Sequence, residues 1–342
     1  MITNEKKNEK KIVNLIADIG GTNIRLAQAD AQSDTKYTDI ETYPCVKFSS
    51  LIEVISQYIE SKNIVDTCIN ACLAIACPTD NDIISMTNLP WQFSQKALKE
   101  TLNLNSLTMI NDYTAIAMAI PLLNDNQKVK IGGGETVNGK PIAVCGPGTG
   151  LGVAHLVPVS IEGKNQWHCF SGEGGHVDFA AVDELDIKIL QYLQTIKTRV
   201  SYEQLLSGYG LEQMYQAIRS INGRNDGNND AGNKGKLSAA EISQQAVSGS
   251  CTLCQQTLAQ FCKVLGSFAG NLALTLNCQG GVYIAGGIVP RFIEFIENSE
   301  FRVRFETKGR LSDIPMQTPT YVITEGQPGL LGAAAFLLQQ SK

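Results

Sequence analysis

The stretch VNLIADIGGTNIRLA (Val13–Ala27) decides the fold. An apolar run reaches Asp18, two adjacent glycines (Gly20 and Gly21) open a turn, and IRLAQA then alternates apolar with polar residues, the period of a half-buried strand. The pattern predicts a hairpin. Adjacent glycines let backbone N–H groups come close to an anion, Thr22 and Asn23 add hydrogen bonds, and Asp18 at the strand end suits a hydrated Mg²⁺.

The same device recurs twice. GPGTGLG (Gly146–Gly152) follows the apolar run Ile142–Cys145 and precedes VAHLVPV, so a second hairpin is expected around Gly148, Thr149 and Gly150. AGGIVP (Ala285–Pro290) follows Val282–Ile284 and leads into a predicted helix carrying Phe292, Ile293, Phe295 and Ile296; its Gly286 and Gly287 suit the base and ribose of a nucleotide. One such turn is an ordinary connection, but three together point to phosphate binding. GxxxxGK[ST] is absent, and no glycine set around Gly146 fits GxGxxG, which disfavours P-loop NTPases and standard dinucleotide folds.

Asn111-Asp112 stands between the strand LTMI and the helical stretch YTAIAMAI. A carboxylate at a strand's C-terminal end in an α/β protein lies where ligands bind, although an Asp before a helix also reads as a plain N-cap. As a functional group it is a general base taking the proton of an attacking hydroxyl, as phosphoryl transfer requires. SGEGGH (Ser171–His176), with Glu173 and His176, and the later Glu203 offer acceptors that suit a polyol. Glu203 also reads as an exposed helical Glu capped by Ser201. His168, Cys169, His176 and the Cys251-x-x-Cys254 pair lack a second Cys pair at zinc-finger spacing, so no zinc site is expected; Cys254 reads as core, and His155 inside a strand as structural.

The rest of the chain sets the frame. With 342 residues, 43% of them hydrophobic, it can bury one or two substantial cores, and a net charge of -5 argues against nucleic acid as partner. The longest apolar run, Ala115–Leu123, falls short of the roughly 20 residues that span a bilayer, so no membrane association is expected. Ten cysteines, mostly in apolar runs, read as reduced core thiols of a cytoplasmic protein. Strands are expected at Ile12–Ala17, Thr67–Cys77, Leu107–Ile110, Ile142–Cys145, Gly152–Val159, Gly281–Ala285 and Tyr321–Thr324, alternating with helices. One helix follows Ser50 with a Ser50/Glu53 capping box; another block starts at Ser238, capped with Glu241, and carries Cys254, Leu258, Phe261, Leu265 and Leu272. Residues 1–11 read as a solvated arm, and 222–236, rich in Asn, Gly and charge, as a flexible insertion.

As an ordered set, IADIGGTNIRLA, AIACP, MTNLPW, INDYTAIAMAIP, GGGETVNGKPIAV, GPGTGLGVAHLV, GEGGHVDFA, LSGYGL, GNLALTLN, GGVYIAGGIVPRF and PGLLGAAA resemble bacterial glucokinases of the hexokinase-like branch of the actin, sugar-kinase and heat-shock ATPase superfamily. The resemblance runs from about residue 12 to 340. It implies an α/β protein of two ribonuclease-H-like domains with a cleft between them: 12–122 plus 325–342, and 123–324. It implies ATP-dependent phosphorylation of glucose at its 6-hydroxyl with Mg²⁺, and a homodimer. By motif, Asp18 to Thr22 resemble the first phosphate loop, Gly148 to Gly150 the second and Ala285 to Gly287 the adenosine loop. Asp112 matches the catalytic base, and Asn111, Glu173, His176 and Glu203 match glucose-binding positions. The zinc motif of the related repressor and sugar-kinase family is absent, which places the chain in the zinc-free branch. Kinases for mannose, fructose or an N-acetylhexosamine, a non-catalytic sugar sensor and a chaperone-like ATPase are the alternatives.

Overall fold

The computed structural model describes residues 11–65, 67–86, 89–223 and 236–340. Almost all of the arm and of the 222–236 insertion, and part of MTNLPW, lie outside these. The described chain is mixed α/β and divides into two compact units, one from Met1–Leu123 with Gly326–Lys342, the other Asn124–Glu325.

The first unit is built on β1 (Ile12–Ile19), β2 (Asn23–Ala29), β3 (Tyr37–Pro44), β4 (Cys68–Ile75), the short pair β5 (Ile83–Ser85) and β6 (Gln92–Ser94), and β7 (Ser106–Asn111). Its main sheet has the order β3-β2-β1-β4-β7, with β1, β4 and β7 parallel and β1-β2 the expected hairpin. Successive side chains of a strand face opposite ways. Leu15, Ala17 and Ile19 accordingly pack with α1 (Leu51–Ser61) and α2 (Gln95–Thr101), whereas Ile16, Cys72, Ala74 and Ile110 pack with α3 (Asp112–Ala119) and α11 (Pro328–Gln340). Helices on both faces make the central strands mostly apolar. Gly332 lets α11 meet α3, since a Cβ there would stand 1.6 Å from the Ala115 carbonyl oxygen.

The second unit carries β8 (Lys128–Gly132), β9 (Ile142–Pro147), β10 (Leu151–Ile161), β11 (Lys164–Gly172), β12 (Val282–Ile284) and β13 (Thr320–Ile323), in the order β11-β10-β9-β12-β13-β8. β9-β10 is the second expected hairpin, and β12 runs parallel to β9. Its helices are α4 (Glu184–Gln194), α5 (Gly208–Ile221), α6 (Ala239–Val247), α7 (Thr252–Leu276), α8 (Ile293–Glu297), α9 (Phe301–Glu306) and α10 (Asp313–Gln317). Ala143, Cys145, Leu151 and Val153 bury one sheet face against α5, α6 and α7. Asp186 is fully buried here, and Arg304 bonds it at 2.6 Å while reaching Asp183 at 2.8 Å.

Several local readings are corrected. The Ser50 hydroxyl caps α1, but the Glu53 carboxylate returns to the N–H and hydroxyl of Ser49, not to Ser50. The block beginning at Ser238 is two helices, because Gly249 takes φ 73° and breaks it before Cys251 starts α7. The helix predicted after the third glycine turn begins as a 3-10 turn, Val289–Phe292. Ser201 forms an isolated bridge with Asp178 and Glu203 lies in the turn that follows, so Glu203 is no surface helix residue.

Candidate active site

In the first unit, the sheet register brings its predicted groups to one edge. Ile19 pairs with Ile75, and Ile75 with Asn111, so the ends of β1 and β7 stand level, two strand spacings or about 10 Å apart. The β1-β2 turn closes with the Gly20 N–H donating to the Asn23 carbonyl at 3.1 Å, and Cys45 N–H braces it on the Thr22 carbonyl at 2.8 Å. Gly21 and Thr22 form the tip, with Thr22 exposed. Asp18 reaches back to Arg25 across the hairpin at 3.4 Å. Burial pushes the Asp18 carboxyl above its ordinary value of 3.8, and Arg25 draws it partway back. A Cβ on Gly329, in the first turn of α11, would be 2.8 Å from the Asp18 carboxyl carbon, so this glycine makes room for the carboxylate.

Asn111, not Asp112, is the N-cap of α3: its Oδ1 accepts the Tyr113 N–H at 2.9 Å. Asp112 is the helix's first residue, and its Oδ1 accepts the same N–H at 3.0 Å. The capping duty therefore falls on the neighbour. Asp112 also contributes to raising the Cys77 thiol, after the larger effect of burial, which puts its charge beside the AIACP segment.

The second unit assembles its predicted groups more tightly. The Gly148 N–H donates to the Gly150 carbonyl at 2.8 Å, folding the turn on itself. The Glu203 Oε2 accepts the Leu151 N–H at 2.9 Å, and a Cβ on Gly150 would stand 2.6 Å from that oxygen. The other oxygen, Oε1, is 3.6 Å from His176 Nε2. Glu173 precedes and His176 ends a 3-10 turn, Gly174–His176, whose Gly175 lies so close to Leu151 that a Cβ would be 2.1 Å from its carbonyl oxygen. Gly175 in turn accepts the Glu203 N–H at 2.9 Å. The third turn joins the group: Gly286, at φ 84°, presses on Pro147, whose carbonyl oxygen is 2.3 Å from where a Cβ would be. Gly287 has open space, and Thr149 is exposed at the tip.

Three further residues belong to this framework without having been singled out. Gly208 donates its N–H to the Gly148 carbonyl at 2.9 Å. Arg199 bonds the His176 carbonyl and the Asp178 carboxylate, each at 2.6 Å. Arg25 pairs with Asp18. Gly208 lies in LSGYGL and Arg25 in IADIGGTNIRLA, two of the matched segments, but the pairing of each arginine comes from strand and loop contacts that a linear reading does not contain.

A carboxylate such as Asp18 would suit a hydrated divalent cation held beside a nucleotide, since such an ion needs only one or two protein carboxylates. Among the described residues no group of three or more His, Cys, Asp or Glu forms a protein cage for a metal.

Solved structures share this architecture. A glucokinase from an Antarctic psychrotroph superposes with a TM-score of 0.84 at 38% identity, over 96% of this chain and 99% of that one. A ROK family glucokinase from Streptomyces griseus, in complex with glucose and AMPPNP, has a TM-score of 0.60 at 17% identity over 96% and 99%, which speaks to the fold alone. Fold and glycine turns together define a sugar kinase of the actin-like ATPase fold. The family model for glucokinase matches residues 15–340, and the chain belongs to the glucokinase family. It is similar to the glucokinases of Colwellia psychrerythraea, 64% identical over 97% of this chain and 98% of that one, and of Photorhabdus laumondii, 47% identical over 95% and 97%. Among the described residues no helix is long and apolar enough to cross a membrane.

Proposed function

We propose that the protein catalyses ATP-dependent phosphorylation of the glucose 6-hydroxyl, with Asp112 as general base. The observation that carries this reading is Glu203, whose carboxylate accepts the Leu151 N–H beside the Gly148–Gly150 loop while its backbone N–H donates to Gly175 in the Glu173–His176 turn, with His176 3.6 Å from the second carboxylate oxygen. A sugar-binding turn and a phosphate loop meeting at one residue suits phosphoryl transfer to a polyol.

Asp112 accepts the proton of the 6-hydroxyl as its oxygen bonds to the γ-phosphorus and the bond to the ADP oxygen breaks. Asn111 holds Asp112 at the helix start by taking over the cap, and also serves the sugar. Glu173, His176 and Glu203 accept from or donate to the sugar hydroxyls. Gly20, Gly21, Thr22 and Asn23, with Gly148, Thr149 and Gly150, direct backbone and hydroxyl donors at the phosphates; Gly286 and Gly287 leave room for the adenosine. Asp18 would hold Mg²⁺, which would supply positive charge to neutralise the phosphate oxygens during transfer. The reading includes a cytoplasmic homodimer, the latter checked by light scattering.

The test is the initial rate of ADP formation from MgATP without sugar, then with glucose, mannose, fructose or N-acetylglucosamine. A rate that depends on glucose and is far larger with it supports the reading. Sugar-independent turnover, or preference for another hexose, overturns it.

A further inference from the structure

We propose that Cys251 and Cys254 are a thiol pair that closes reversibly to a disulfide when a hydroperoxide oxidises the protein. None of the ten cysteines is in a disulfide, and this pair is built differently from the rest. Cys251 is the N-cap of α7, with φ -139° and ψ 111°, and its Sγ accepts the Cys254 N–H at 3.3 Å. Inside a helix, residues three apart hold their Cβ atoms about 5–6 Å from each other, beyond the ~3.8 Å a disulfide prefers. The extended backbone of the cap removes that obstacle by folding the Cys251 side chain inward over the first turn. Its sulfur already lies against the nitrogen bonded to the Cys254 Cα. The Cys254 Sγ points at the Gln245 Oε1, 3.8 Å away, so one rotamer change turns it toward Cys251.

Access divides the roles. Cys251 is partly exposed, while Cys254 is fully buried. Cys251 is then the sulfur that meets the oxidant, and Cys254 the one that resolves it. The Cys251 sulfur attacks one peroxide oxygen, the O–O bond breaks, and a sulfenic acid forms with release of water or an alcohol. The Cys254 sulfur next attacks the sulfenic sulfur; the S–S bond forms, the S–O bond breaks, and the hydroxyl departs as water with the Cys254 proton. Two thiols lose two electrons and the hydroperoxide gains them. The other partly exposed cysteines, Cys68 and Cys169, sit in strands opposite Ile12 and Leu156, so neither faces a cysteine across its strand pair. They serve as internal controls.

The full-length protein is treated with hydrogen peroxide, with and without dimedone, blocked with an alkylating agent and mapped by tandem mass spectrometry. The expected result is a peptide about 2 Da lighter, its bridge placed between Cys251 and Cys254 and not at Cys262, restored by dithiothreitol, while Cys68 and Cys169 yield only dimedone adducts. In Cys254→Ser, Cys251 stops at the sulfenic acid and takes dimedone. In Cys251→Ser, whose hydroxyl keeps the cap, no bridge forms and the circular dichroism melt is unchanged. The proposal is overturned if doses that oxidise Cys68 and Cys169 leave Cys251 and Cys254 unbridged, or if Cys251 bonds elsewhere.

Discussion

The Glu203 carboxylate grips the backbone of Leu151, accepting its N–H at 2.9 Å, while its second oxygen stands 3.6 Å from His176. Gly150 completes the fit by having no side chain. A methyl there would lie 2.6 Å from the Glu203 oxygen and 3.3 Å from the carboxyl carbon. Gly150→Ala should therefore displace the carboxylate and lower kcat/KM for glucose by about tenfold or more, equivalent to ~1.4 kcal/mol or above. Steady-state kinetics check this, with an unchanged melting curve showing that the fold survives; unaltered kcat/KM would mean that the Glu203–Leu151 bond is not part of the site.

Arg304 is the counter-charge of a carboxylate without access to water. Replacing it with Met leaves the fully buried Asp186 unpaired, which typically costs about 3–5 kcal/mol. Asp183 adds a pH signature. Burial pushes its carboxyl up, but the Asp186 N–H, Arg304, Gln260 and Lys263 together outweigh this and hold it below its ordinary 3.8. A lowered carboxyl stabilises the fold above its unfolded value and loses that contribution as pH falls through the lowered one. The stability gap between wild type and Arg304→Met, measured by urea unfolding, should be widest near neutrality and shrink below pH ~4.

Asp18 carries the opposite sign. Its carboxyl is raised, so the folded protein holds that proton more firmly than the unfolded chain, and stability falls as pH rises from 3.8 through the folded value. Asp18→Asn removes this penalty. The variant's melting temperature should gain on wild type as pH is raised from about 4 to about 7, while KM for MgATP increases. A melting temperature that falls relative to wild type over that range would show that the Arg25 pair outweighs the burial.

Gly332 tests the packing under the first unit's sheet. Gly to Ala normally helps a helix by roughly 1 kcal/mol. Here the added Cβ would overlap the Ala115 carbonyl oxygen at 1.6 Å, so Gly332→Ala should instead destabilise by about 1–3 kcal/mol or more. Urea unfolding decides, and a variant as stable as its parent would show that α11 and α3 can separate cheaply.

The strands read from sequence are those whose apolar runs are buried on both faces or end in a glycine turn, such as β1, β4, β9 and β10. β3, β8 and β11 went unread because they are sheet edges with polar, exposed residues; in Lys164–Gly172 not one residue is buried. In the site, the glycine turns and Asp112 were legible because backbone freedom and a carboxylate at a strand end leave local marks. Glu203 was ambiguous from the string: its environment is made by Leu151, 52 residues away, and by Gly175. Arg199 and Gly208 owe their roles to carbonyls, of His176 and Gly148, which no side-chain pattern announces.

The measurement that bears most directly on the account is Asp112→Asn, assayed for glucose binding by calorimetry and for MgATP-dependent glucose phosphorylation by turnover. Asn keeps the shape and the acceptor for the Tyr113 N–H but cannot take the hydroxyl proton. The account predicts glucose affinity close to wild type with kcat reduced about 10²–10⁴-fold. Near-normal kcat would contradict it and move the general base elsewhere.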